Sequence, residues 1–375
     1  MFRRIFGSDI LFSGYYGHFN AGDDAFVEVA SWGAEKYWNK KNNIFLGRKR
    51  DLPVVSRAVR GYPLEIPKTY RFQGKFLLES TSLLISAGGS TLHSEMQAGN
   101  IKRLAVESKR KGSAIKIGGI GVSVGPFRTV RDERAIFDYL NNIDFLAVRD
   151  QASFDIVSSL SLPYKPVNAF DLAALLTEIY GVKGAGERLD GRKVLGISVC
   201  PYESIVDRDN IKKENHRNEK MTELLRSIEK NGDVHFKFFV INGHPDVGDL
   251  KLTIETLRNV CPVSYEIVSY NKETRIIWDE VASCDFFIST RLHAAIFACF
   301  TGTPFLLNEY HRKCSDFLDN VCYDQAFRSG DGDFDPKEKA EQVLEVLENG
   351  KVYSPPKRAN EMKELARLNF TDVRI

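Results

Sequence analysis

Between residues 284 and 300 the chain reads CDFFISTRLHAAIFACF, an apolar run of strand length that passes almost at once into an apolar run of helical spacing. Residues 285–289 read as a short buried strand. Leu292, Ala295, Ile296 and Cys299 then fall on a helical repeat, Gly302 stops it, and a further strand resumes over 304–308. A strand that is apolar throughout and feeds straight into a helix belongs to a parallel sheet covered on both faces. The same alternation recurs along most of the chain and predicts an α/β fold. In the first half it places strands at 10–13, 83–86, 114–117 and 145–148, with helices at 25–38, 93–111, 132–141 and 151–159. A second series opens with a strand at 193–199, followed by a helix near 220–230, a strand at 236–241 and a helix at 249–260. Two Rossmann-like domains facing each other across a cleft are therefore expected, over residues 1–177 and 193–354. A glycine- and charge-rich linker is expected at 178–192, and a C-terminal helical tail at 355–375.

Length and composition agree with that reading. The 375 residues suffice for two domains, and 43% hydrophobic with 27% charged residues is the balance of a soluble globular chain. A net charge of +2 argues against a nucleic-acid binder. No run approaches bilayer-spanning length and the first residues lack a signal-peptide core, so a cytoplasmic protein is expected. The six cysteines show no paired metal-ligand spacing, and neither a metal nor a cofactor is expected. Basic clusters at 47–50 (GRKR) and 108–111 (SKRK) are solvated loop or helix ends, or points of peripheral contact with a membrane.

Chemistry concentrates where strands meet helices. Arg291 lies at or beside a helix N-terminus, which favours an anion, and His293 one turn in is suited to exchange a proton near neutrality. The bland alternative pairs Arg291 with a structural carboxylate and leaves His293 as an interior residue. Residues 145–154 (FLAVRDQASF) echo this pattern weakly and place Arg149 at another strand end. Two arginines suit a ligand with both carboxylate and phosphate, unless Arg149 only pairs with Asp150. Residues 14–24 (GYYGHFNAGDD) lack the Lys-Ser/Thr of a Walker loop and the glycine spacing of a dinucleotide fingerprint. There Asp23 and Asp24 either cap the next helix or meet a sugar hydroxyl, and Asn20 tolerates a turn. Residues 87–93 (AGGSTLH), with Gly88, Gly89, Ser90 and His93, and residues 118–126 (GGIGVSVGP) are expected as ligand-approaching loops after strands. His244 and Asp246 in 242–249 (NGHPDVGD) and Lys313 in 308–313 (NEYHRK) occupy the corresponding edge of the second domain.

Taken in order, GYYGHFNAGDDA, AGGS, GGIGVSVGP, VRD, STRLHAAIFA and the later Lys313 resemble the polysaccharide pyruvyl transferase family, over most of the chain. The resemblance implies a GT-B-like fold. It also implies transfer of the enolpyruvyl group of phosphoenolpyruvate to two hydroxyls of a sugar in a cell-surface polysaccharide or its lipid-linked precursor, without metal or nucleotide. On that analogy Arg149, Arg291 and Lys313, with Gly88, Gly89 and Ser90, hold the donor, and His293 is the general acid. Asp23 or Asp24 is then a base or hydroxyl-binding group, and Asn20, His93, His244 and Asp246 face the acceptor. A GT-B glycosyltransferase with a nucleotide-sugar donor, or a carbohydrate-binding protein without activity, are the alternatives.

Overall fold

The computed structural model describes residues 5–182, 191–206 and 208–375, with residue 351 described by its backbone alone. The chain forms two compact units: Met1–His18, Asp23–Ile179 and Asn360–Ile375 make the first, Phe19–Gly22 and Tyr180–Ala359 the second. Of the expected linker, residues 183–190 lie outside the described residues, and its first residues belong to helix Leu176–Tyr180.

Among the described residues the first unit is built on seven strands: β1 (Ile10–Ser13), β2 (Asn43–Phe45), β3 (Val59–Arg60), β4 (Leu83–Leu92), β5 (Lys116–Val124), β6 (Phe145–Val148) and β7 (Val167–Asn168). They pair in parallel in the order β3-β2-β1-β4-β5-β6-β7. Strand order reverses between β1 and β4, and the carboxyl ends flanking such a switch are where open α/β sheets bind ligands. Ile10, Leu11 and Phe12 are fully buried, as a strand covered on both faces demands.

Two glycine segments lie inside strands rather than in loops after them. Strand β4 runs through Ala87–Gly88–Gly89–Ser90, and β5 runs through residues 118–124. Glycine disfavours a strand on propensity, so the sequence reading stopped each strand early. At Gly88 the glycine is obligatory, since φ is +75° and a Cβ would fall 2.3 Å from the Phe26 ring. Helix boundaries move for similarly local reasons. Helix Ala21–Trp38 begins ahead of expectation, so Asp23 and Asp24 occupy its first turn, favourable to acidic side chains, rather than capping it. The helix expected from residue 93 starts only at Ile101, where the Asn100 side chain caps it by accepting from the Lys102 N–H at 3.0 Å.

The expected C-terminal tail is integral to the first unit. In helix Ala359–Thr371, Asn369 accepts from the Gly121 N–H at 2.6 Å and donates to the Phe170 carbonyl at 2.8 Å. The Trp38 indole donates to the Phe370 carbonyl at 2.9 Å.

Among the described residues the second unit has six parallel strands: β8 (Lys193–Ser198), β9 (Val234–Phe239), β10 (Tyr265–Val268), β11 (Phe286–Ser289), β12 (Phe305–Glu309) and β13 (Arg328–Gly330). Their order is β10-β9-β8-β11-β12-β13, with the switch between β8 and β11. Phe236, Phe238, Phe286, Phe287 and Phe305 fill the core around these strands. The unexpected strand β10 is an edge strand exposing Tyr265, Glu266 and Ile267, so no apolar run announced it.

Candidate active site

In the second unit the strand-to-helix passage after β11 behaves as its sequence suggests. Arg291 is the N-terminal flank of helix Leu292–Thr301, and Gly302 ends that helix in the left-handed conformation. The Arg291 side chain is 18% exposed and grips the fully buried Asp249 along one edge: Nε donates to both carboxylate oxygens, at 2.9 and 3.1 Å, and Nη2 donates to Oδ1. Burial opposes the Arg291 charge, but the Asp249 carboxylate outweighs it and the guanidinium titrates above its ordinary range. Arg291 therefore does pair with a structural carboxylate. The pairing nevertheless leaves Nη1 without a hydrogen bond among the described residues. Asp249 stands at the N-terminal flank of helix Leu250–Val260 without a side-chain cap bond to it, and its carboxylate also accepts from the Asn242 N–H, at 2.8 Å.

His293 is half-buried in the first turn of the same helix. Its ring lies against the backbone of Gly22, in the segment Phe19–Gly22 that joins this unit. That segment is tied down by Ala21 N–H to Ile241 carbonyl (3.0 Å) and Gly243 N–H to Phe19 carbonyl (2.7 Å). The Asn20 side chain accepts from the Gly22 N–H at 3.0 Å and so shapes the turn that delivers Gly22 to His293. Lys313, near the start of helix Arg312–Asn320, reaches over the Tyr310 ring at 5.5 Å. Buried Cys200, after β8, has its thiol pushed up by burial, against the charges of Arg291, Arg217 and Lys313, which lie close enough to lower it. Arg291, after β11, and Lys313, after β12, thus both bear electrostatically on Cys200, after β8. His244 and Asp246 do not join them by any recorded contact: the His244 Nδ1 accepts from the Asp246 N–H at 3.2 Å, closing its own loop, and Asp246 is exposed.

In the first unit a pocket of about 560 Å³ opens at the carboxyl ends of β1 and β4. It gathers Asp23, Gly88, Gly89, Ser90 and His93, together with Tyr15, Tyr62 and Tyr70. Asp24 is 1% exposed. His93 is exposed, with Nδ1 2.9 Å from the Ser90 carbonyl. Arg149, after β6, is buried and occupied on every nitrogen: Nε donates to Ser123 Oγ (2.7 Å), Nη1 to Asp171 (3.0 Å) and Nη2 to Ser90 Oγ (3.1 Å). Its closest carboxylate partner is Asp171; Asp150, which caps helix Gln151–Ser158, makes a looser ion pair with Nε at 3.9 Å.

Sequence reasoning missed Lys102 and Arg71, which line the same pocket, and Arg217 in the second unit. Arg217 is 1% exposed and holds Glu203 (2.7 Å) and Asp331 (2.8 Å) beneath the Tyr310 ring. One signal for Lys102 was legible: it occupies the buried helical stripe of Ala105 and Val106, where a lysine is out of place. All six cysteines are free, and among the described residues no cluster of His, Cys, Asp or Glu is arranged to hold a metal. Nor is any helix among them long and apolar enough to cross a membrane.

Solved structures share this architecture at low sequence identity. A putative UDP-N-acetylglucosamine 2-epimerase from Listeria monocytogenes superposes with a TM-score of 0.61 at 10% identity, covering 98% of both chains. The UDP-GlcNAc 2-epimerase from Neisseria meningitidis, bound to UDP-GlcNAc, gives 0.58 at 10% identity over 97% of this chain and 99% of that one. The enzyme from Methanocaldococcus jannaschii gives 0.54 at 12% identity over 96% and 97%. These likenesses show a GT-B fold, two α/β domains with parallel sheets, and no more than the fold. No curated protein sequence matches the chain. The sequence profile of the polysaccharide pyruvyl transferase family, by contrast, matches residues 20–312, from the turn that carries Gly22 to the helix that carries Lys313, and this chain belongs to that family.

Proposed function

We propose that this enzyme moves the enolpyruvyl group of phosphoenolpyruvate onto two hydroxyls of a sugar in a cell-surface polysaccharide or its precursor, closing a pyruvate ketal and releasing phosphate. The observation that supports this most directly is the Arg291–His293 pair at the β8/β11 switch. There a cation with one edge locked by Asp249 keeps Nη1 for a small anion, two residues before an imidazole in the first turn of the helix. Arg291 and Lys313 hold the carboxylate and phosphate of the donor, whereas Arg149, in the first unit, has every nitrogen engaged by Ser123, Asp171 and Ser90 and keeps no open edge for it.

His293, as imidazolium, gives its proton to the methylene carbon of the donor, leaving an oxocarbenium-like centre at the neighbouring carbon. A sugar hydroxyl adds to that carbon and loses its proton to a base. The carbon–oxygen bond to phosphate breaks, with the cations stabilising the departing dianion. A second hydroxyl closes the ring and releases its proton. Of the two hydroxyl protons, one in sum replaces that given to carbon and the other leaves with phosphate.

A lipid-linked acceptor at the inner face of the membrane belongs to the same reading. The 108–111 cluster offers little for it, since Lys109 pairs with Asp144 (2.7 Å) and Arg110 with Asp138 (2.8 Å). Helix Tyr70–Glu79 supports it better, with exposed Phe72 and Phe76 beside Lys75.

Phosphate release from phosphoenolpyruvate, measured with a panel of hexosides and lipid-linked sugars, tests the proposal. Acceptor-dependent release with a ketal-bearing product is expected. Thermal stabilisation by UDP-sugars and not by phosphoenolpyruvate would instead favour a nucleotide-sugar glycosyltransferase.

A further inference from the structure

The first-unit pocket contains a charge that a neutral sugar does not call for. Lys102 is 7% exposed, and its ammonium has one recorded contact, with the Thr91 carbonyl at 3.3 Å. No carboxylate pairs with it among the described residues, and burial pushes it down to about 8. It is the second residue of helix Ile101–Arg110, so its charge adds to the positive end of the macrodipole, where a lysine is unfavourable. Arg71 lines the same pocket, its Nε and Cζ 3.4 and 3.5 Å from where a Gly99 Cβ would stand, likewise without a carboxylate partner among the described residues. The Thr91 hydroxyl, also on the pocket wall, is buried with no hydrogen-bond partner. Asp23 is the pocket's carboxylate, and it lies beside Gly89, 4.0 Å from where a Cβ on that residue would stand.

A desolvated ammonium without a counter-charge is an unstable arrangement that a bound anion relieves. We propose that this pocket takes a saccharide bearing an anionic oxygen group, a phosphate or a carboxylate, held by Lys102, Arg71 and Thr91 while the sugar ring lies along Tyr15, Tyr62 and Tyr70. Tyrosine side chains offer flat apolar faces with a polar tip, which suits a pyranose, and the tilted Tyr62–Tyr70 pair stands with ring centroids 4.9 Å apart. Naming this ligand the acceptor rests on the pyruvyl-transfer reading; the binding chemistry does not.

Isothermal titration of the full chain separates the two. The probes are hexose 1-phosphates, methyl hexuronosides and methyl hexosides of gluco, galacto and manno configuration, without phosphoenolpyruvate. An anionic sugar is expected to bind roughly tenfold more tightly than its neutral counterpart, and Lys102→Met and Arg71→Gln should each erase most of that preference. Preference for the phosphates identifies the phosphate source, and preference for the uronosides the carboxylate. Equal binding of charged and neutral sugars, or a preference surviving both substitutions, overturns the inference. Lys102→Met removes a desolvated charge and keeps the aliphatic stem, so a folded variant is expected and thermal melting verifies it. If anionic sugars bind as stated but phosphoenolpyruvate yields no phosphate with any of them, the reaction reading fails and the binding inference stands.

Discussion

Gly22 and the His293 ring are in such close contact that a β-carbon on Gly22 would fall 2.1 Å from the imidazole Nδ1 and 2.3 Å from Cγ. No side chain fits that space, so the glycine sets where the imidazole can stand. Gly22→Ala should displace the His293 ring and lower turnover by about 100-fold, the cost of misplacing a reacting group by about 1 Å, with a smaller change in donor KM. Steady-state kinetics alongside a melting curve checks this. A folded variant with unchanged kcat removes His293 from the proton transfer or Gly22 from its positioning.

The Arg291–Asp249 pair is a second point of leverage. Asp249 is 0% exposed, and its loss leaves the guanidinium without a counter-charge. Asp249→Ala is expected to destabilise the chain by about 3 kcal/mol, the low end of the range for breaking a buried pair, as read from denaturant unfolding. Phosphoenolpyruvate affinity should weaken as well, because Asp249 fixes the edge of Arg291 that remains open. Unaltered stability would mean that Arg291 finds water or another acid readily.

Lys102 makes stability depend on pH in a defined direction. Its folded pKa of about 8 lies below the ordinary 10.5, so the folded state resists holding the proton that the unfolded chain keeps. The unfavourable contribution, about 3 kcal/mol, is present in full below pH 8 and fades as pH rises toward 10.5. Lys102→Met should therefore be more stable than the parent at pH 7, with the gap closing by pH 10. A gap that stays constant with pH would show that Lys102 is solvated rather than desolvated. By the same sign, affinity for an anionic sugar falls as pH rises through 8, where the ammonium loses its proton.

If helix Tyr70–Glu79 meets a bilayer, Phe72→Ser should reduce sedimentation with anionic liposomes several-fold and leave thermal stability nearly unchanged. Phe72 is 65% exposed, so little core is lost, whereas Phe76 also packs on the Phe6 ring with centroids 5.9 Å apart. Raising the salt should weaken the binding of the parent chain, since Lys75 and its basic neighbours act through screened charge. Equal sedimentation of both chains would place any membrane contact elsewhere.

The sequence by itself determined the elements whose hydrophobic pattern is strong. Strands β1 and β6 lie where their apolar runs predicted, and the passage from β11 into helix Leu292–Thr301 was legible because strand period, helix period and stop glycine agree. That agreement also exposed Arg291 and His293. Tertiary structure alone decided the features whose cause lies far away in the chain. The Phe26 ring leaves room only for glycine at residue 88, pairing with β5 carries β4 through it, and Asn369 sews the last helix to Gly121. Phe19–Gly22 joins the second unit through backbone hydrogen bonds to Ile241 and Gly243, which no side-chain pattern records. Strands β10 and β13 are short edge elements without an apolar run. The Lys102 pocket arises because β4 and helix Ile101–Arg110 bring Thr91 to a lysine eleven residues on. Local sequence reports each residue's own preference, and a site is set by which preferences packing allows to stand.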